Sequence, residues 1–226
     1  MHPRTSRPAR ALSLFGALLL AGSVVAAGPV QAKSAKGHDH AHSHAHGAKS
    51  EIYNGYFKDE QVKPRTLEDW EGEWQSVYPY LIDGTLDPVM ADKAKHGSKS
   101  AGEYRAYYDA GYKTDVDRIV IAGTSVTFFR GKQSAKANYV TDGHETLTYA
   151  KGNRGVRFIF RKADGDDAAP QFIQFSDHNI APEIADHYHL YWGNDRAALL
   201  KEVTNWPTYY PAELTGQQIV KEMLAH

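Results

Sequence analysis

The hydrophobic rhythm of the chain changes several times, and each change marks an element. Residues 11–27 are a continuous apolar run rich in Leu, Ala and Val. Lys33 to Ser50 then holds no large apolar side chain at all. From Ile52 aromatic and aliphatic residues arrive together: Tyr53, Tyr56, Phe57, Val62, Leu67, Trp70 and Trp74. Thr66-Leu67-Glu68-Asp69 has the spacing of a capping box and predicts a short helix before Gly72, followed by an extended run from Gln75 to Tyr80. Asp87-Pro88 reads as an N-cap with Pro at the first helical position, opening a helix to about His96. Ser100 starts a second helix that carries Tyr104, Tyr107 and Tyr108 and ends near Gly111. After Asp115 the period becomes two, which predicts strands at 116–121, 125–130, 135–141, 145–150, 155–162, 171–177 and 187–192. Gly123, Asp142-Gly143, Gly152-Asn153 and Asp164-Gly165 separate them as hairpin turns. With the strand after Gly72 this makes about eight, an antiparallel up-and-down barrel or a sandwich. Two helices, at about 195–203 and 215–225, close the chain around Asn205-Trp206-Pro207.

The first 32 residues read as an address. Arg4, Arg7 and Arg10 precede the apolar run, and Val30-Gln31-Ala32 fits a small-residue cleavage pattern, so 1–32 is expected to be a signal peptide. The run is short for a membrane span and holds Gly16, Gly22 and Ser23, so no membrane insertion is expected after cleavage. Residues 33–50 cannot bury enough surface to offset the ordering of their backbone, and they are expected to be a disordered segment. Residues 51–226 are long enough for one core.

Composition narrows the chemistry. The 226 residues include 26 basic, 27 acidic, 12 His and no Cys. Without Cys there is no disulfide framework, no thiolate zinc site and no cysteine nucleophile. The balance of charge is not that of a protein whose main partner is nucleic acid. Cleavage after Ala32 removes three arginines and no acid, leaving a mildly acidic exported chain.

The histidines are informative through their placement. His178 and His187 bracket an eight-residue loop, Asn179 to Asp186, between two predicted strands. A connection this short makes the strands antiparallel neighbours, so His178 and His187 face one another at the loop base. His187 and His189 are two apart on one strand and share a face. Three neutral imidazoles with an open fourth position suit zinc, and also copper, nickel or cobalt; cadmium resembles a larger zinc. Ordinary half-buried hairpin histidines are the bland alternative, and three at matched spacing weigh against it. Asp177, Glu183 and Asp186 lie near enough either to hold the second ring nitrogens or to be loop charges. His38, His40, His42, His44 and His46 alternate in the low-complexity segment, a composition that binds metal. A flexible tract must be ordered to chelate, so its sites should be weaker than a preformed one. His144, His96 and His226 carry no comparable pattern. The clustered tyrosines are expected to form core and walls.

Several runs resemble the ZinT (YodA) family: Asp69 to Tyr80, Gly111 to Val116, Arg154 to Arg157, Phe175 to His178, His187 to His189 and Asn205 to Pro211. The resemblance spans about residues 52–226. It implies a calycin, lipocalin-like antiparallel β-barrel with additional helices. It also implies a periplasmic zinc-binding protein, with His178, His187 and His189 as metal ligands and a His-rich N-terminal segment like that at 38–46. It implies as well that zinc passes to the solute-binding protein of a zinc ABC importer, and that cadmium also binds. The leading expectation is therefore a non-catalytic metallochaperone that captures Zn2+ and releases it. A lipocalin-type carrier of a small organic ligand is the alternative, and it requires a deep apolar cavity. A zinc hydrolase is a third reading; Glu183 is the one nearby candidate base, and no metalloprotease motif is present.

Overall fold

The computed structural model describes residues 51–225. The expected signal peptide 1–32, the segment 33–50 with His38, His40, His42, His44 and His46, and His226 lie outside the described residues.

Eight antiparallel strands close into a barrel in which every strand pairs with its neighbour in sequence and the last returns to the first. β1 spans Gly72–Ser76, shorter than expected, because Tyr78 and Pro79 already open helix α1 (Tyr78–Ile82). The Ser76 hydroxyl accepts from the Tyr78 amide at that junction. The predicted helix at 66–70 is a 3-10 turn, Leu67–Trp70, without a side-chain cap, since the Asp69 carboxylate is taken by Arg65. Helix α2 runs Asp87–His96 as expected, but Leu86 is its N-cap. The Asp87 carboxylate accepts instead from Arg105 of helix α3 (Ala101–Tyr112). Ser100 and Glu103 cap α3 reciprocally, as their spacing requires.

β2 (Arg118–Ala122) and β3 (Ser125–Arg130) form a hairpin around Gly123. Beyond it, the expected strands at 135–141 and 145–150 are one strand, β4 (Gln133–Thr148). Asp142-Gly143 is not a turn: both flanks pair with β5 (Arg154–Gly165), Thr141 opposite Phe160 and His144 opposite Phe158, with a register shift between them. Gly143 has φ +85° and supplies the extra residue of a bulge, which kinks a long strand without ending it. Asp164-Gly165 is likewise the end of β5 rather than a turn, with Gly165 paired to Ala137. β6 (Phe172–Ser176) and β7 (Tyr188–Gly193) follow, then α4 (Arg196–Lys201) with Asp195 as its N-cap. The short strand β8 (Thr208–Pro211), which the periodicity did not mark, pairs with β7 and β1 and closes the barrel. Helix α5 (Gly216–Ala225) ends the described chain. None of the described helices is long and apolar enough to cross a membrane.

Alternation along the strands separates two apolar clusters. Trp70, Trp74, Phe128, Tyr139, Phe158, Phe160, Phe175, Tyr188, Leu190 and Tyr209 are buried together in one. Their rings interlock, Trp70 on Phe175 at 4.5 Å and Trp74 on Tyr188 at 4.6 Å between centroids. The interior is a packed core, and the deep cavity that a small-molecule carrier requires is filled by these rings. The second cluster gathers Val77, Leu81, Leu86, Val89, Met90, Tyr112, Ile219 and Val220 from the helices against Tyr210, the outward neighbour of Tyr209.

The two glycines at the misread turns differ in a testable way. A Cβ at Gly165 meets the Ala137 Cα at 2.4 Å with φ +119°, whereas a Cβ at Gly143 meets nothing within 4 Å. In urea denaturation Gly143→Ala should cost about 1 kcal/mol, the left-handed backbone penalty alone. Gly165→Ala should cost on the order of 3 kcal/mol, because backbone must also move.

Candidate metal centre

The β6–β7 pairing fixes the site. Phe175 lies opposite Leu190 and Ser176 opposite His189. Continued by two residues, that register brings His178 across from His187. Tyr188 and Leu190 belong to the barrel interior, so His187 and His189 face outward. The three rings meet on the outer wall, with centroids 5.8 Å (His178–His187), 5.8 Å (His178–His189) and 6.0 Å (His187–His189) apart. One nitrogen of each lies within 4.8 Å of the others. Metal–nitrogen bonds of about 2.0–2.1 Å in a tetrahedron set the nitrogens about 3.3 Å apart, so closing on an ion needs only small ring movements.

Hydrogen bonds identify a protonated nitrogen on two of the rings. His178 Nδ1 lies 3.2 Å from the Tyr53 carbonyl, which only accepts, so Nδ1 carries a proton. His189 Nδ1 lies 2.8 Å from Thr208 Oγ1, and that hydroxyl donates to the Trp206 carbonyl at 2.9 Å. Thr208 therefore accepts from Nδ1–H, and Nε2 is the nitrogen of His189 left to ligate. Rings hold the imidazoles from the side: Tyr53 stacks on His178 at 4.3 Å and Tyr210 on His187 at 5.0 Å. Burial, followed by the charges of His178, His187 and Arg157, pushes the His189 imidazole well below its usual range, so it stays neutral.

His178 is the one non-glycine with positive φ among the described residues, at +67°. Its left-handed backbone is held by what lies beneath it. Arg65 is buried, and its Nε donates to Asp69 at 2.7 Å, Nη1 to Asp177 at 2.6 Å and Nη2 to the Glu183 carbonyl at 2.7 Å. Its guanidinium carbon lies 4.0 Å from the Trp70 ring centroid, and the Trp70 indole N–H donates to Asp177 at 3.1 Å. Asp177 also accepts from the Asn179 amide, and Asp69 accepts through its carbonyl from Ala185. Burial pushes the Asp177 carboxyl up, and Arg65 opposes that shift. Asp177 is thus a strut of the loop and does not orient an imidazole. Glu183 and Asp186 line a shallow cavity beside His187. The orienting groups at His178 and His189, Tyr53 and Thr208, are distant in sequence and had no signal there beyond their place in apolar runs. Arg65 had none either. His144 lies on β4, its ring 6.0 Å from Phe158, and His96 lies 3.8 Å from Asp92 on α2; neither joins the site.

Two cavities meet over the three rings. One of about 290 Å³ is walled by Tyr53, Tyr107, Tyr108, Trp206 and Tyr210 above all three histidines. The other, about 440 Å³, reaches His178 and His189 from the side of Arg157 and Tyr191.

A closed lipocalin-like barrel with three imidazoles clustered on its outer wall has an arrangement that could hold a metal ion. The ZinT family model, described as a ZinT (YodA) periplasmic lipocalin-like zinc-recruitment domain, matches residues 48–226, and the chain belongs to that family. It is 60% identical over 176 residues to the probable metal-binding protein YrpE of Bacillus subtilis (strain 168), covering 77% of this chain and 70% of that one. It is 52% identical over 177 residues to the zinc-binding lipoprotein AdcA of Streptococcus pneumoniae, covering 35% of that protein's length. The Zn(II)-bound ZinT-like domain of Streptococcus pneumoniae AdcA superposes with a TM-score of 0.74 at 52% identity, covering 76% of this chain and 97% of that one. The Zn(II)-bound AdcA of the same species gives 0.75, with 38% of its chain covered.

Two outcomes follow from the strut and the neutral imidazole. Arg65→Met should cost about 3–5 kcal/mol in urea denaturation, because it strands two buried carboxylates. In metal-free protein the unfolded chain protonates His189 near pH 6.5 while the folded chain keeps it neutral. Folding stability is then complete above about pH 6.5 and falls as pH drops below it. In His189→Gln the slope of stability against pH between about 6.5 and 5 should be shallower, read by denaturation at stepped pH.

Proposed function

We propose that this chain is a non-catalytic zinc-capture and delivery protein of the periplasm, in which His178, His187 and His189 hold Zn(II). The observation that carries the reading is the tautomer assignment at two of the three rings. The Tyr53 carbonyl and the Thr208 hydroxyl each accept a hydrogen bond from an Nδ1–H, and one nitrogen of each of the three rings lies within 4.8 Å of the others. Histidines that merely fill a hairpin have no reason to be oriented in this way. Three nitrogens with an exchangeable fourth position bind an ion and also let it go.

The rest of the sequence fits this role. The signal peptide at 1–32 exports the chain, the segment 33–50 gathers metal through His38, His40, His42, His44 and His46, and the domain at 51–226 holds it. The recipient in this reading is the solute-binding protein of a zinc ABC importer. Support comes from relatives in which the matched segment is 35% of a longer chain named as a zinc-binding lipoprotein. Cadmium occupies the same three nitrogens where it is present, since its donor preference overlaps that of zinc.

His187→Ala combined with His189→Ala should abolish tight zinc binding while circular dichroism and thermal unfolding of the metal-free protein stay close to those of the parent. Calorimetry on the full chain should show the tight phase lost and only the weaker phase of the 38–46 histidines remaining. An unchanged tight phase in the double variant would overturn the assignment.

A further inference from the structure

Arg157 is left unused by zinc binding as described. On β5, Val156, Phe158 and Phe160 face the interior, so Arg157 faces outward, yet it is only 1% exposed. Phe158 lies opposite Phe175, and continuing by one residue sets Arg157 beside Ser176, which lies opposite His189. Arg157, Ser176 and His189 thus form one row across three strands of the outer wall. The guanidinium lies over the Tyr191 ring, 3.1 Å from its centroid. Its Nη2 donates to the Glu202 carbonyl at 3.0 Å, whereas the Glu202 carboxylate accepts from the Thr204 amide and hydroxyl and the Asn205 amide. Nε and Nη1 make no hydrogen bond of normal geometry among the described residues, although the Tyr149 side chain acts on the guanidinium from nearby. Arg157, Ser176, His178 and His189 line the same cavity of about 440 Å³.

A guanidinium stays charged at any physiological pH, and burying it with two idle donors is costly. The buried carboxylate Asp177 is already matched by Arg65. A dication on the three nitrogens would face the Arg157 guanidinium across a cavity with no carboxylate in its lining. A dication carrying an anion would bring the missing negative charge.

We propose that the cavity between Arg157 and the three histidines is an anion subsite that takes a small free carboxylate. One carboxylate oxygen accepts from the idle donors of Arg157 and another fills the fourth position of the ion. The inference rests on the zinc reading above and names what completes that site. It makes capture and release depend on the anion as well as on the metal.

The test uses the full chain loaded with one equivalent of Co(II), whose visible absorption reports the ligands of the ion. The His187→Ala/His189→Ala variant gives the contribution of the 38–46 tract, to be subtracted. Sodium acetate is the probe, against sodium perchlorate at equal ionic strength. A saturable spectral change with acetate alone is expected in the parent. Arg157→Met should weaken the acetate response about tenfold or more, the value of one lost charge-assisted hydrogen bond. Arg157→Lys, which keeps the charge, should retain part of it. No acetate effect on the parent spectrum overturns the proposal whatever the variants do, and so does an equal response in parent and Arg157→Met. In both cases cobalt binding itself leaves the three-histidine reading standing. Failure of the parent to bind cobalt beyond the double variant overturns both.

Discussion

Everything at the site depends on one buried cation. Arg65 joins the segment leading into the barrel to the loop between β6 and β7, through Asp69, Asp177 and the Glu183 carbonyl. Trp70 lies under it and belongs at once to the loop, through Asp177, and to the interior, through Phe175. A buried ion pair of this kind seldom adds net stability over a well-packed apolar equivalent. What it supplies is a single arrangement. Each nitrogen of the guanidinium has one acceptor, and the acceptors lie on both sides of the loop that carries His178. The strained backbone of His178 persists because its neighbours on either side, Asp177 and Asn179, are already fixed by this strut.

The choice of acceptors behind His178 and His189 matters as much as their position. Metal-binding imidazoles often rest on carboxylates, which raise their basicity and tighten their hold. Here a backbone carbonyl and a hydroxyl fill that role. Both fix the tautomer, and neither brings negative charge. Such ligands grip a cation less firmly than carboxylate-backed ones, which suits a protein that must also surrender what it binds.

The strand content and the three histidines were legible because both depend on a period of two. His187 and His189 share a face whatever else the fold does, and a short loop forces His178 toward them. Which face they share was not legible. The outward direction follows from Tyr188 and Leu190 turning inward, and that choice is made by packing against Trp74 and Phe175 far away in sequence. The bulge at Gly143 looked like a turn because Asp-Gly serves both purposes, and only the continued pairing with β5 distinguishes them. β8 is four residues long, too short to show a period, and it exists because β1 and β7 offer it two edges. Arg65, Tyr53, Thr208 and Arg157 act through contacts more than 15 residues away, and no local pattern announces them. The family resemblance reached the fold and the histidines that the structure brings together, but could not reach these supports.

The outward placement of the histidines has a kinetic consequence. In a barrel that holds its cargo inside, exchange waits on the opening of the mouth or of the wall. Here the interior is sealed by aromatic rings, and the three imidazoles lie between the wall and a thin cover of Tyr53, Tyr107 and Trp206. In the proposed role, loading and unloading at these imidazoles ask only for local fluctuation of that cover, which lies far below global unfolding in free energy. The barrel serves as a rigid bench, and the timescale of metal traffic is set by the few side chains resting on it.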